Sequence, residues 1–81
     1  MMHPDQIEHE LIHFLTSSIL AKEVVIDANM ELKTIGVDSF SIVEIILFIE
    51  RKFGIVLRDD QLLPEHFKTI NSIAKLVLSE A

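Results

Sequence analysis

The 81-residue sequence predicts an all-α fold, and two observations carry the prediction. Apolar residues recur at helical spacing over three long stretches. Only two Gly and two Pro are present, too few for an all-β domain full of tight turns. The expected architecture is a small three-to-four-helix bundle with a long first loop, forming one domain over residues 1–81.

The first element follows from Pro4, which suits a first helical turn because its missing N–H costs nothing there. Ile7, Leu11, Phe14, Leu15 and Ser18 then fall in one narrow arc, predicting an amphipathic helix over residues 4–19. From Ala21 to Asp38 the periodicity is lost. Val24, Val25, Ile26, Met30, Leu32 and Ile35 are scattered among polar residues. This reads as an ordered loop whose apolar residues plug the core. A second helix is expected from Ser39 to Phe53, with Gly54 as a left-handed C-cap. Its start carries Asp38, Ser39 and the capping-box pattern Ser41-x-x-Glu44. A short helical turn at Asp60–Leu63 should end at Pro64. The last helix begins at the N-cap Thr69 and presents Ile70, Ile73, Ala74 and Val77 on one face.

Composition narrows the function. Thirteen acids against seven Lys and Arg give a net charge of −6. That argues against nucleic acid, which needs a basic surface, and suits partners with a basic patch. There is no Cys, so thiol chemistry here requires an imported thiol. The N-terminus lacks a basic and apolar leader, and the longest apolar run, Ile45–Ile49, is far too short to cross a membrane. A cytoplasmic monomer without stable membrane insertion is expected.

Two stretches invite a chemical reading. His9-Glu10-Leu11-Ile12-His13 matches H-E-x-x-H, the pattern that places two zinc ligands one turn apart beside a general base. The helical angle, however, sets His9 and His13 nearly opposite the apolar stripe, facing water, so the match reads as coincidental and no metal is expected. The second stretch is Gly36-Val37-Asp38-Ser39-Phe40. A serine at a helix N-terminus holds its hydroxyl beside unpaired N–H groups, a setting that favours phosphate. No His or Lys adjoins Ser39 as a base, so its hydroxyl reads as one offered to another enzyme rather than as a nucleophile in its own right. The following helix carries two apolar stripes. With Phe40 at the origin, Ile42, Ile45, Ile46, Ile49 and Phe53 lie between about 140° and 240°, forming a core face. Phe40, Val43 and Leu47 form a second stripe, flanked by Glu44 and Glu50, which covers a side cleft or meets a partner. Phe48 lies off both stripes and receives no role.

The residues Gly36-Val37-Asp38-Ser39-Phe40, Val43-Glu44-Ile45, Ile49-Glu50-Arg51-Lys52-Phe53-Gly54-Ile55, Asp59-Asp60 and Phe67–Ala74 resemble an acyl carrier protein. The resemblance implies that a phosphopantetheinyl transferase attaches 4′-phosphopantetheine from coenzyme A to Ser39. The arm then holds acyl groups as thioesters and presents them to acyl-transferring or condensing enzymes of fatty-acid, polyketide or specialised lipid biosynthesis. The carrier itself is not an enzyme. Asp38, Phe40, Val43, Glu44, Leu47 and Glu50 match partner-binding positions of the family, and an acyl pocket lined by Val43, Ile46, Leu47 and Leu63 is expected. Phe40 replaces the family's usual Leu, and Arg51, Lys52 and Arg58 stand in a commonly acidic stretch. Residues 1–40 hold seven acids and two bases (net −5), residues 41–81 six and five (net −1). These departures suit a dedicated carrier for a polyketide, specialised lipid or amino-acid pathway. The alternatives are an aminoacyl or peptidyl carrier, and a cofactor-free helical protein-interaction module.

Overall fold

A computed structural model describes residues 3–19 and 26–80. Three α-helices form the frame: α1 (Pro4–Phe14), α2 (Ser39–Phe53) and α3 (Ile70–Glu80). Short 3-10 turns at Leu32–Ile35, Asp59–Gln61 and Pro64–Phe67 connect them. No strand occurs among the described residues. No helix among them is long and apolar enough to cross a membrane.

Helix α1 starts at Pro4, and the His3 carbonyl accepts from Gln6 and Ile7 N–H at 3.1 and 3.2 Å. Ile7, Leu11 and Leu15 are fully buried. Beyond Phe14 the helix continues as a wider π-helical turn, Leu15–Ile19. Here the Thr16 and Ser17 hydroxyls donate back to the carbonyls of Ile12 and His13 at 2.8 and 2.7 Å, competing with the regular ladder. The wider turn breaks the assumed angular step, so Ser18 is exposed rather than part of the buried stripe. The expected loop plugs Val24 and Val25 lie outside the described residues. Of the others, Ile26 and Leu32 are buried, whereas Met30 and Ile35 are only half-buried. The loop also contains the 3-10 turn at Leu32–Ile35, which apolar spacing alone did not reveal.

Helix α2 has the expected bounds, closed by Gly54 at φ +70° with its N–H on the Glu50 carbonyl at 3.0 Å. Only a residue without a Cβ adopts that conformation at no steric cost. Ile45 and Ile49 are fully buried, and Ile42, Ile46 and Phe53 pack against them at the edge of the core. After α2, two separate 3-10 turns replace the expected single turn at Asp60–Leu63. The first is fixed by Gln61, whose Oε1 accepts from Arg58 N–H at 2.8 Å. Pro64 opens the second turn as well as ending the stretch before it. Thr69 caps α3 reciprocally with Ser72: Thr69 Oγ1 accepts from Ser72 N–H and Ser72 Oγ from Thr69 N–H, both at 3.0 Å. Ile70, Ile73, Ala74, Leu76 and Val77 are buried from this helix. Its start is tied to the rest of the chain by Asn71 N–H on Ala28 O at 2.8 Å and Asn71 Nδ2 on Glu8 at 3.2 Å.

The two faces of α2 should respond differently to truncation. Ile49→Ala leaves a cavity among buried neighbours and is expected to lower unfolding free energy by about 2–5 kcal/mol in denaturant titration. Leu47→Ala, on the exposed face, should stay within about 0.5 kcal/mol of the parent.

Candidate functional site

The loop reaches α2 through a fixed corner. The Leu32–Ile35 turn ends at Gly36, with φ +96°, and the Val37 N–H returns to the Leu32 carbonyl at 3.1 Å. Val37 is buried, so the chain is pinned one residue before the helix cap. Asp38 is that cap: Oδ1 accepts the Ser41 N–H at 2.9 Å, and its carbonyl accepts the Ile42 N–H at 3.0 Å. Ser41 is thus the donor at the third helical position, and the expected Ser41-x-x-Glu44 box is not the cap; Asp38 occupies the role one turn earlier. The Ser41 N–H, then the Ser41 hydroxyl, holds the Asp38 carboxyl below the ordinary carboxylate value of 3.8.

Ser39 follows as the first residue of α2 and is exposed. A groove of about 920 Å³ opens beside it, with Asp38 and Ser39 at its rim, apolar walls from Leu32, Ile42, Leu62 and Phe67, and Lys33 and Lys68. On the outer side of α2, Phe40, Val43 and Leu47 are 73%, 53% and 50% exposed. They form a continuous apolar stripe at helical spacing, with Glu44 half-buried and Glu50 exposed beside it.

Val43, Ile46, Leu47 and Leu63, the residues expected to line an acyl pocket, are not brought together in the groove at Ser39. The groove at Ser39 draws on Ile42 from α2 rather than Val43, Ile46 or Leu47, and on Leu62 rather than Leu63. Leu47 borders a second, smaller groove of about 440 Å³ with Phe14, Ser18, Glu44, Glu50 and Arg51. The physical reason is the orientation of α2. Its core face presents Ile42 to the 3-10 turns, while Val43 and Leu47 point outward.

Phe48 supplies what sequence spacing left blank. Its ring stacks on Phe14 at a centroid distance of 4.3 Å and meets Phe53 edge-on at 6.1 Å. It is an aromatic wedge between α1 and α2. The one available signal was the presence of four Phe residues on two helices that must pack together, three of which meet here. The H-E-x-x-H stretch lies on α1 with His9 and His13 exposed, and Glu10 forms an ion pair with Lys52 at 3.3 Å. Among the described residues no group of three or more His, Asp or Glu is placed to hold a metal ion. Two of the bases that depart from the family pattern are paired internally: Lys52 with Glu10, and Arg58 with Asp60 at 3.1 Å and Glu80 at 3.4 Å.

Comparisons with known proteins bear on the family and the fold. The family model described as the phosphopantetheine attachment site matches residues 10–77. An acyl carrier protein of Amoebophilus asiaticus is 38% identical over 58 residues, covering 72% of this chain and 69% of that protein. The crystal structure of an acyl carrier protein from Thermotoga maritima superposes with a TM-score of 0.79 at 14% identity, over 98% of this chain and 91% of that one. A chain of the Bradyrhizobium japonicum glycine:[carrier protein] ligase structure, complexed with its cognate carrier protein and an analogue of glycyl adenylate, does so at 0.76 and 18% identity. That match covers 94% and 96% of the two chains. At such identities the two structures show a shared fold.

The cap carries its own test. Because the folded pKa of Asp38 lies below its unfolded value, the carboxylate's contribution to stability is complete above the ordinary carboxylate range. It is lost as pH falls through 3.8 toward the lowered folded value. Asp38→Asn keeps an acceptor for the Ser41 N–H and removes the titration. Thermal unfolding of this variant should depend less on pH in that acid window than the parent's, with the two converging at the acid end.

Proposed function

The chain belongs to the acyl carrier protein family, and on that footing we propose that Ser39 takes the 4′-phosphopantetheine arm and that the protein presents acyl groups to partner enzymes, catalysing no step itself. The observation that carries this reading is the position of Ser39: an exposed hydroxyl on the first residue of a 15-residue helix, beside a groove. The residues fit the group. The hydroxyl is open to a transferase, the groove gives an attached chain room beside it, and the first turn of α2 offers the dipole's positive end to a phosphate. When attached, the arm supplies the thiol that a chain without Cys lacks, and acyl cargo is held on it as a thioester.

The remaining residues position this handle. Asp38 fixes the start of α2, so Ser39 is held out of the core, while Val37 pins the chain just before it. Phe40, Val43 and Leu47 form the surface that partner enzymes cover, and Glu44 and Glu50 steer basic partners toward it. The phosphopantetheinyl transferase is the first such partner, with acyl-transferring or condensing enzymes after it. Phe40 in place of the family's usual Leu, with Arg51 beside Glu50, suits a dedicated pathway, in polyketide or specialised lipid synthesis, over bulk fatty-acid synthesis. An aminoacyl carrier is the second reading, supported by the same fold in a structure described as a glycine ligase with a glycylated carrier protein.

Incubation with coenzyme A and a promiscuous phosphopantetheinyl transferase should add one phosphopantetheinyl group to the parent and none to Ser39→Ala, read by intact mass. An unmodified parent, or an equally modified variant, would sink the assignment and leave a cofactor-free interaction module. Glu44→Lys and Leu47→Ala should each slow the transferase reaction, by about three- to tenfold in kcat/KM, with unfolding curves close to the parent's.

A further inference from the structure

The groove beside Ser39 balances two lysines against two acids, a balance that the acidic chain as a whole does not share. The protein is acidic, yet two of its seven Lys and Arg residues, Lys33 and Lys68, line this one groove. A backbone bond from Leu32 N–H to the Lys68 carbonyl, at 2.9 Å, holds their segments together. Lys33 forms no ion pair among the described residues. Lys68 pairs with Glu31 at 3.4 Å, both side chains well exposed, an interaction weak enough to be exchanged. The two acids on the same groove are Asp38 and Glu65. Asp38 is already engaged with the Ser41 N–H, and Glu65 is exposed. Lys33 and Lys68 are both exposed, so their long side chains can turn toward an anion brought to this groove. Any group carried on the Ser39 hydroxyl enters at the rim of this groove.

We propose that Lys33 and Lys68 form a binding site for the phosphodiester carried on Ser39, turning the attached arm back into the groove when no partner is docked. This rests on Ser39 as the attachment point. In this state the lysines offset the repulsion between the phosphodiester and the neighbouring Asp38 carboxylate. The apolar walls from Leu32, Ile42 and Phe67 then lie along the path of the arm. A docking enzyme with its own cations competes for the same phosphodiester and releases the arm.

The test compares the parent with the double variant Lys33→Gln/Lys68→Gln, both loaded from coenzyme A and both confirmed by intact mass. The loaded parent should show a ³¹P resonance that moves as salt rises, and amide shifts at residues 32–36 and 68 on conversion from the unloaded form. The double variant should lose both effects. Its thiol should react with a bulky maleimide about threefold faster than the parent's at low salt, with the difference gone at high salt. Loaded proteins that behave alike in all three measurements overturn the proposal. A difference that appears only when the arm carries a dicarboxylic cargo, and not when it is free or acetylated, also overturns it and moves the anion to the cargo. Absence of any mass gain overturns the attachment reading and this site together, and is seen before any spectrum is recorded.

Discussion

The hydrogen bond from the Ser41 N–H to the Asp38 carboxylate is the constraint on which the functional end of this protein depends. Helix α2 must begin where its third N–H finds an acceptor, and Asp38 decides that place. One residue earlier, Val37 is buried; one residue later, Ser39 is exposed. The chain therefore passes from core to solvent within two residues, and no slack remains for the serine to retreat inward. Gly36 makes the approach feasible by taking a left-handed turn that returns the Val37 N–H to Leu32.

The same helix divides its labour by angle. Ile45 and Ile49 are sealed in the common core, whereas Phe40, Val43 and Leu47 remain at least half exposed. Leaving three large apolar groups in water gains nothing for the isolated fold, which is why the stripe reads as an interface. Charge follows a comparable division. Two of the bases at the far end of α2 and beyond it are drawn toward acids of this chain, Lys52 to Glu10 and Arg58 to Asp60 and Glu80. Glu44 and Glu50 form no such pair among the described residues. The outer side of α2 thus keeps Glu44, Glu50 and Arg51 as charges without an ion pair among the described residues.

Much of the frame was legible because its signals are local. Gly54 and Asp38 bracket α2, Thr69 caps α3, and the apolar spacing of Ile70, Ile73, Ala74 and Val77 coincides with the buried face. The misses share a cause: they depend on contacts between distant segments or on departures from ideal helical geometry. Ser18 leaves the buried stripe because the π-helical turn changes the angle per residue. Phe48 has no place on a single-helix projection, since its partner Phe14 belongs to another helix. The groove at Ser39 could not be drawn from α2 alone, because its far wall is the pair of 3-10 turns around Leu62 and Phe67. Ser39 itself was read from its neighbours in sequence and from the family resemblance, with the exposed hydroxyl as the structural counterpart.

Those 3-10 turns also set how stability is distributed. Between Gly54 and Thr69 the chain never completes an α-helical turn, and it is held by a few isolated contacts such as Gln61 on Arg58 and His66 Nδ1 on the Gln61 carbonyl at 2.7 Å. Helix α3, by contrast, commits five buried residues to the core. The connector has no α-helical ladder, yet it seats Ile55, Leu57 and Phe67 in the core, so side-chain burial holds it in place. The wall of the space beside the serine is therefore a loop clamped to the core by its side chains, with Phe67 both buried and facing the groove.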